Sequence, residues 1–388
     1  MIKKIIKIIF FFLLFVTVLF SIVALLTGRF YLYKAIGNTY LKGHSGPSAT
    51  EYLIFENRKV EALNPFPLQK SKFYNSSSLS KANEEKLKAV KAHAFVVIKN
   101  DSLLHEQYWD DFSDTSHTNS FSIAKTYCSI LLGCALKDGY IKNLDEPVCK
   151  YISEFSKGDK AKVTLRNLVT MTSGIGFNES YVSPFAYPAE GYYSEDVLKA
   201  SCKYEMASEP GQIFKYLSGN SALLGICITR AVGKPLAQYL GERLWKDLQC
   251  ERSAWWSLDK KNGQEKGFCC INSNATDFAR IGMLYLNYGK WNGKQIVDSE
   301  YVANSIVPFN CKEEDGTANH TYGYSWWLTN YNGENVFYAR GILGQYVICV
   351  PSKKMVIVKL GRKRPNPGKN HTPENVGVCI DAALALYK

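Results

Sequence analysis

NSFSIAKTYCSILLG, residues 119–133, joins a polar approach to an apolar helix and puts Ser122 at the first turn with Lys125 three positions on. Residues three apart on a helix are surface neighbours, so the spacing brings the Lys125 amine to the Ser122 hydroxyl. A serine hydroxyl is a weak nucleophile at neutral pH; it needs a group to take its proton and donors to hold the oxyanion that follows attack. A helix start offers free backbone N–H groups and a positive dipole end, and an amine held out of water gives up its proton more readily than a solvated one. The same Ser-x-x-Lys spacing occurs at Ser78/Lys81, in a Ser-rich polar stretch, and at Ser257/Lys260, which runs into Lys261-Asn262-Gly263. Only Ser122 opens an apolar helix that a core can hold in place.

Working outward, AFVVIKNDSLLHEQYW contains β-rich runs at 95–99 and 103–109 separated by Asn100-Asp101, a hairpin signal. Helical patterns follow at 123–136, 165–171, 221–232, 236–248 and 275–288. Strand patterns return at 324–328, 336–340, 346–350 and 354–360, and an amphipathic helix closes the chain at 373–386. Strands at both ends with helices between predict an α+β fold: an antiparallel sheet flanked by helices, with an inserted all-helical subdomain. Residues 91–388 form this domain. Residues 28–90 mix Gly, Pro, Ser and Lys with short apolar pieces and read as a spacer that docks in part on the main domain.

The first segment carries a different signal. Behind Lys3, Lys4 and Lys7, residues 8–26 (IIFFFLLFVTVLFSIVALL) are apolar but for Thr17 and Ser21. As a helix this run is about 30 Å long, enough to cross a hydrocarbon core. It exceeds the apolar core of a cleavable signal, and its exit, Ala24-Leu25-Leu26-Thr27-Gly28, is a poor cleavage site. Residues 1–27 therefore read as an uncleaved bilayer anchor, with the lysines inside and the remainder outside the cytoplasm.

The 388 residues are 46% hydrophobic, with a formal charge of +12, which excludes disordered, collagenous and coiled-coil classes. No Cys/His module or Arg-rich helix accompanies the positive charge, so it points to anionic lipid or wall polymer rather than nucleic acid. The basic run Lys359, Arg362, Lys363, Arg364 and Lys369 reads as a solvated loop. Eleven cysteines cannot all pair internally. Cys128, Cys134 and Cys227 sit in apolar helical runs as small hydrophobes, and Cys269 and Cys270 are available to other chain positions. The six histidines show no ligand spacing, so no metal or other cofactor is expected.

With residues 119–133, the stretches VTLRNLVTMTSGIG (163–176), PGQIFKYLSGNSALLG (210–225), residues 268–297 and YGYSWWL (322–328) resemble, in matching order, the serine β-lactamase-like, penicillin-recognising superfamily. The similarity is greatest to the class C-related branch of esterases, D-amino-acid peptidases and aminohexanoate-dimer hydrolases, and covers about residues 92–388. It implies a hydrolase acting on a small or peptide-like amide or ester, in which Ser122 is acylated, Lys125 assists its activation and Tyr216, 94 residues on, shuttles protons. The chemistry agrees, because a phenol beside an amine can pass a proton in either direction.

Two departures from the family pattern bear on substrate. Tyr-x-Asn becomes Tyr216-Leu217-Ser218-Gly219-Asn220; Ser218 or Asn220 orients the substrate amide, or Asn220 caps a helix beginning at Ser221. The family's Lys-Thr-Gly or His-x-Gly strand reads Ile342-Leu343-Gly344, without its cation. Arg340, two residues earlier, either replaces that cation or pairs at the surface. The resemblance places the N–H groups of Ser122 and Gln345 in the oxyanion hole, with Gly344 allowing close backbone approach. Trp326 and Trp327 are candidates to line an acyl pocket, although one of two adjacent strand residues faces the core. The missing cation argues against penicillin hydrolysis and D-Ala-D-Ala cleavage. A DD-peptidase or β-lactamase using Arg340, and a non-catalytic wall-binding or sensing module, are the competing expectations.

Overall fold

The computed structural model describes residues 2–364, 368 and 371–387; Met1, Lys369 of the basic run and Lys388 lie outside the described residues. In chain order the helices are α1 Ile2–Thr27, α2 Tyr31–Asn38, α3 Lys81–Ala89, α4 Ile123–Lys137, α5 Leu165–Val169, α6 Tyr187–Tyr193, α7 Val197–Cys202, α8 Ser218–Val232, α9 Leu236–Leu240, α10 Ala275–Leu286, α11 Ser299–Ser305 and α12 Glu374–Ala385. The strands are β1 Asn57–Val60, β2 Ala92–Lys99, β3 Ser102–Tyr108, β4 Thr118–Asn119, β5 Ala254–Ser257, β6 Ile271–Ser273, β7 Lys290–Trp291, β8 Lys294–Gln295, β9 Trp327–Tyr331, β10 Glu334–Gly341, β11 Gln345–Val350 and β12 Met355–Gly361.

Six strands from the two ends of the chain form one antiparallel sheet in the order β3-β2-β12-β11-β10-β9. Its first hairpin turns at Asn100 and Asp101, both with positive φ (48° and 58°), as a tight hairpin requires. β11 and β12 are buried along their whole length because helices cover both faces. α3 and α12 lie on one face; α4 and α10 lie on the other, where α4 also packs against α8 of the all-helical part. The α+β fold with its flanking helices is the architecture read from the sequence.

Residues 28–90 are more than a spacer. β1 pairs with β5 in a second sheet, β1-β5-β6-β4, and Leu32, Ala49, Phe55 and Val60 enter the main core. These pairings are long-range, and the short apolar pieces gave no periodicity by which to recognise them. Smaller differences have local causes. The 236–248 helix leaves α geometry after Leu240 in a π turn. The strand expected at 324–328 starts at Trp327, because Ser325 has φ 58°. Lys359, read with the solvated basic run, lies inside β12 and is fully buried. Cys269 and Cys270 pair with each other rather than with distant positions, while Cys128, Cys134 and Cys227 are buried free thiols.

Candidate active site

α4 begins where a short strand breaks. β4 pairs with β6, Ser120 N–H donates to Ile271 O (2.7 Å) and Phe121 N–H donates to the Asn119 side chain (2.8 Å). Phe121 takes φ 45°, which swings Ser122 to the head of the helix. Lys125, 1% exposed, donates through Nζ to Ser122 Oγ (2.9 Å) and to the Phe268 carbonyl (3.0 Å). The helical spacing thus produces the contact expected of it, and a carbonyl 143 residues away aims the amine.

Tyr216 arrives from the segment before α8. Its backbone is held where Lys215 N–H donates to Met171 O (2.9 Å), and its ring is packed by Trp327 (5.0 Å between centroids) and Tyr322 (5.9 Å). Lys125 Nζ lies 5.1 Å from the Tyr216 ring centre. Ser122 lines a cleft of about 950 Å³ whose wall also includes Phe121, Ser218, Phe268, Ile342 and Leu343, and Lys125 bridges Ser122 to the Tyr216 ring.

Ser218 is the first residue of α8, so the helix starts three residues before Ser221 and Asn220 is inside it rather than at its cap. Asn220 is fully buried, accepts from Ser173 Oγ (2.6 Å) and reaches Met171 Sδ (3.5 Å), which makes it a packing residue. Ser218 donates its N–H (2.8 Å) and its hydroxyl to the carboxylate of Glu179. Tyr181 Oη also donates to Glu179 (3.0 Å). Burial pushes the Glu179 carboxyl up from its ordinary range, against the opposing pull of Lys125 and the Ser218 bonds. Sequence reasoning missed Glu179 and Tyr181. They lie in an irregular loop with no motif, and only folding carries them to Ser218.

The turn between β10 and β11 forms the facing wall. Gly344 has φ 82°, and a Cβ there would stand 2.6 Å from Lys359 Nζ, so the position requires glycine. The fully buried Gln345 side chain clamps the turn, donating to Gly361 O (2.7 Å) and accepting from Gly361 N–H (3.0 Å). Burial brings the Lys359 ammonium behind this turn down to about 8. Gly341 is in close contact with the strand leading to Ser122: a Cβ would fall 2.2 Å from Ser120 O.

Arg340 donates to His371 O and lays its guanidinium 3.5 Å over Trp327 and 6.0 Å from the Tyr216 ring centre; among the described residues no carboxylate pairs with it. Trp326 does not reach the cleft. It is fully buried against Tyr285 and Phe337, on the sheet face opposite Trp327, as strand alternation requires. Among the described residues no group of three His, Cys, Asp or Glu side chains is placed to hold a metal.

The family model described as beta-lactamase matches residues 81–376. The chain belongs to that family, within the β-lactamase/transpeptidase-like superfamily. It is 25% identical over 323 residues to a 6-aminohexanoate-dimer hydrolase of Paenarthrobacter ureafaciens, covering 78% of this chain and 81% of that protein. Among solved structures, a Bacillus anthracis protein provisionally assigned as a 6-aminohexanoate-dimer hydrolase superposes with a TM-score of 0.69 at 24% identity, covering 87% of this chain and 91% of that one. A family VIII carboxylesterase superposes with a TM-score of 0.60 at 16% identity, covering 80% and 99%. The last two likenesses concern the fold.

Proposed function

We propose that the chain is a membrane-anchored serine hydrolase that cleaves an amide or ester through an acyl-enzyme on Ser122. The carrying observation is the 2.9 Å contact of Lys125 Nζ with Ser122 Oγ beside the Tyr216 ring, at the end of an open cleft. In this mechanism Ser122 Oγ attacks the scissile carbonyl carbon and its proton passes to the Lys125 amine, with Tyr216 as the second carrier. The tetrahedral oxyanion forms against the N–H groups of Ser122 and Gln345. Tyr216 returns the proton to the leaving nitrogen or oxygen as the bond to carbon breaks, and water, deprotonated by the same pair, releases the acid and restores the serine. Ser218 and Arg340 border the site; Arg340, free of a carboxylate, suits an anionic group on the substrate.

The anchor is α1, 26 residues long with a mean hydropathy of 3.1 over its most apolar window and with its side chains facing outward. The lysines before residue 8 favour a catalytic domain outside the cytoplasm. Incubation of the detergent-solubilised chain with a fluorophosphonate is expected to label Ser122 alone, and Ser122→Ala is expected to lose both the label and the turnover of a p-nitrophenyl ester. Undiminished turnover by Ser122→Ala would end the proposal.

A further inference from the structure

The segment after the anchor does not lead away from it. Gly28, with φ 66°, ends α1, Arg29 N–H caps it on Ala24 O (2.9 Å), and α2 folds back so that Tyr33 Oη donates to Ser21 Oγ (2.6 Å) and the Tyr33 ring meets Phe20 (5.1 Å). Ser21 is six residues before the end of α1, about 9 Å along the axis. If α1 spans the bilayer, α2 therefore lies beside its outermost turns, at the depth of the outer interface.

The cleft is tied to this same place. Ala35, Thr39 and Tyr40 line it on one side and Tyr181, Val182 and Pro184 on another. The second group is held to the anchor-proximal segment where Tyr31 Oη donates to Pro184 O (3.0 Å) and the Arg29 guanidinium covers the Phe185 ring (5.0 Å). Around this mouth large apolar side chains face outward: Leu41 is 79% exposed, Val182 88% and Phe185 49%. Aromatic side chains at the water boundary, here Tyr40 and Tyr33, suit the headgroup level. Of the cations that also line the cleft, Arg362 pairs with Asp110, Arg364 lies over the Tyr181 ring (5.0 Å), and neither Lys91 nor Arg364 has a carboxylate partner among the described residues. Cations in that position favour an anionic surface.

We infer that the cleft mouth is seated in the outer leaflet and that the substrate is an amphiphilic ester or amide drawn from the bilayer, its chain entering between α2 and the 180–185 loop. The inference rests on the anchored-hydrolase reading and specifies its substrate class. Leu41, Val182 and Phe185 enter the interface, the cations meet an anionic headgroup, and the scissile carbonyl reaches Ser122 without the chain crossing water.

The test uses the full chain in vesicles of phosphatidylcholine and phosphatidylglycerol carrying a phospholipid with a photoactivated carbene on its acyl chain, with adducts mapped by mass spectrometry. Adducts on 8–26 and also on 40–41 and 181–185 are expected. Adducts on 8–26 alone would overturn the inference and leave the anchor standing; adducts on neither would overturn both. In the same vesicles, Leu41→Asp is expected to lower the turnover of a bilayer-borne long-chain p-nitrophenyl ester, relative to soluble p-nitrophenyl acetate, by about tenfold, and an unchanged ratio would refute the substrate assignment. Absence of turnover on both substrates by the unaltered chain would remove the hydrolase reading and the substrate class with it, while the adduct map still decides the seat.

Discussion

Lys125→Met keeps the length of the side chain and removes the amine. Two bonds go with it, the 2.9 Å contact to Ser122 Oγ and the 3.0 Å contact to Phe268 O, and no other Lys, Arg or His among the described residues is bonded to Ser122 Oγ. If Lys125 takes the serine proton, its loss removes about 10²–10⁴ in kcat, or about 3–5 kcal/mol of transition-state stabilisation. The fold should tolerate the change. The Lys125 amine is buried with its two bonds on neutral oxygens, so the main cost of removing it is leaving Phe268 O unpaired, about 1 kcal/mol. The assay is ester turnover by the detergent-solubilised full chain, with circular dichroism melts in parallel. The melting temperature is expected to move by no more than about 4 °C. Turnover within about tenfold of the unaltered chain, with the fold intact, would refute Lys125 as the proton acceptor.

Two further substitutions test the walls of the site. Gly341→Ala drives a Cβ to 2.2 Å from Ser120 O, so urea titration should show a loss of about 1–3 kcal/mol, with turnover falling too because Ser120 leads directly to Ser122. Gly46→Ala, with nothing within 4 Å, should stay within about 0.5 kcal/mol. Lys359 sets a pH dependence. Its amine falls from 10.5 to about 8 in the fold, so the unfolded chain binds the extra proton between those values and stability rises with pH across that window. Below pH 8 the whole burial penalty is present, up to about 3 kcal/mol. Lys359→Met should therefore be the more stable protein at pH 7, with the difference shrinking as pH approaches 10.5. A difference in melting temperature that does not change with pH would refute it.

Most of the sheet was legible because near-continuous apolar runs such as 346–350 and 354–360, which end up buried on both faces, are bounded by turn residues. Ser122 and Lys125 were legible because three residues of helix make them neighbours whatever the rest of the chain does. The assignments of Asn220 and Trp326 failed for one reason: each depends on where an element begins or which face it turns inward, and a shift of one to three residues reverses the outcome. How segment 28–90 docks was not legible, since β1 finds its partner β5 almost two hundred residues away.

The sequence by itself determined the order of elements, the apolar first helix and the serine–lysine pair, because each depends on interactions within a few residues of chain. Only the tertiary structure decided that the Phe268 carbonyl aims Lys125, that Tyr216 stands against it on a bed of Trp327, that Glu179 grips Ser218, and that α2 turns back along the apolar first helix beside the cleft. Those contacts join segments tens to hundreds of residues apart. They are selected by the packing of a whole core, which no local pattern encodes.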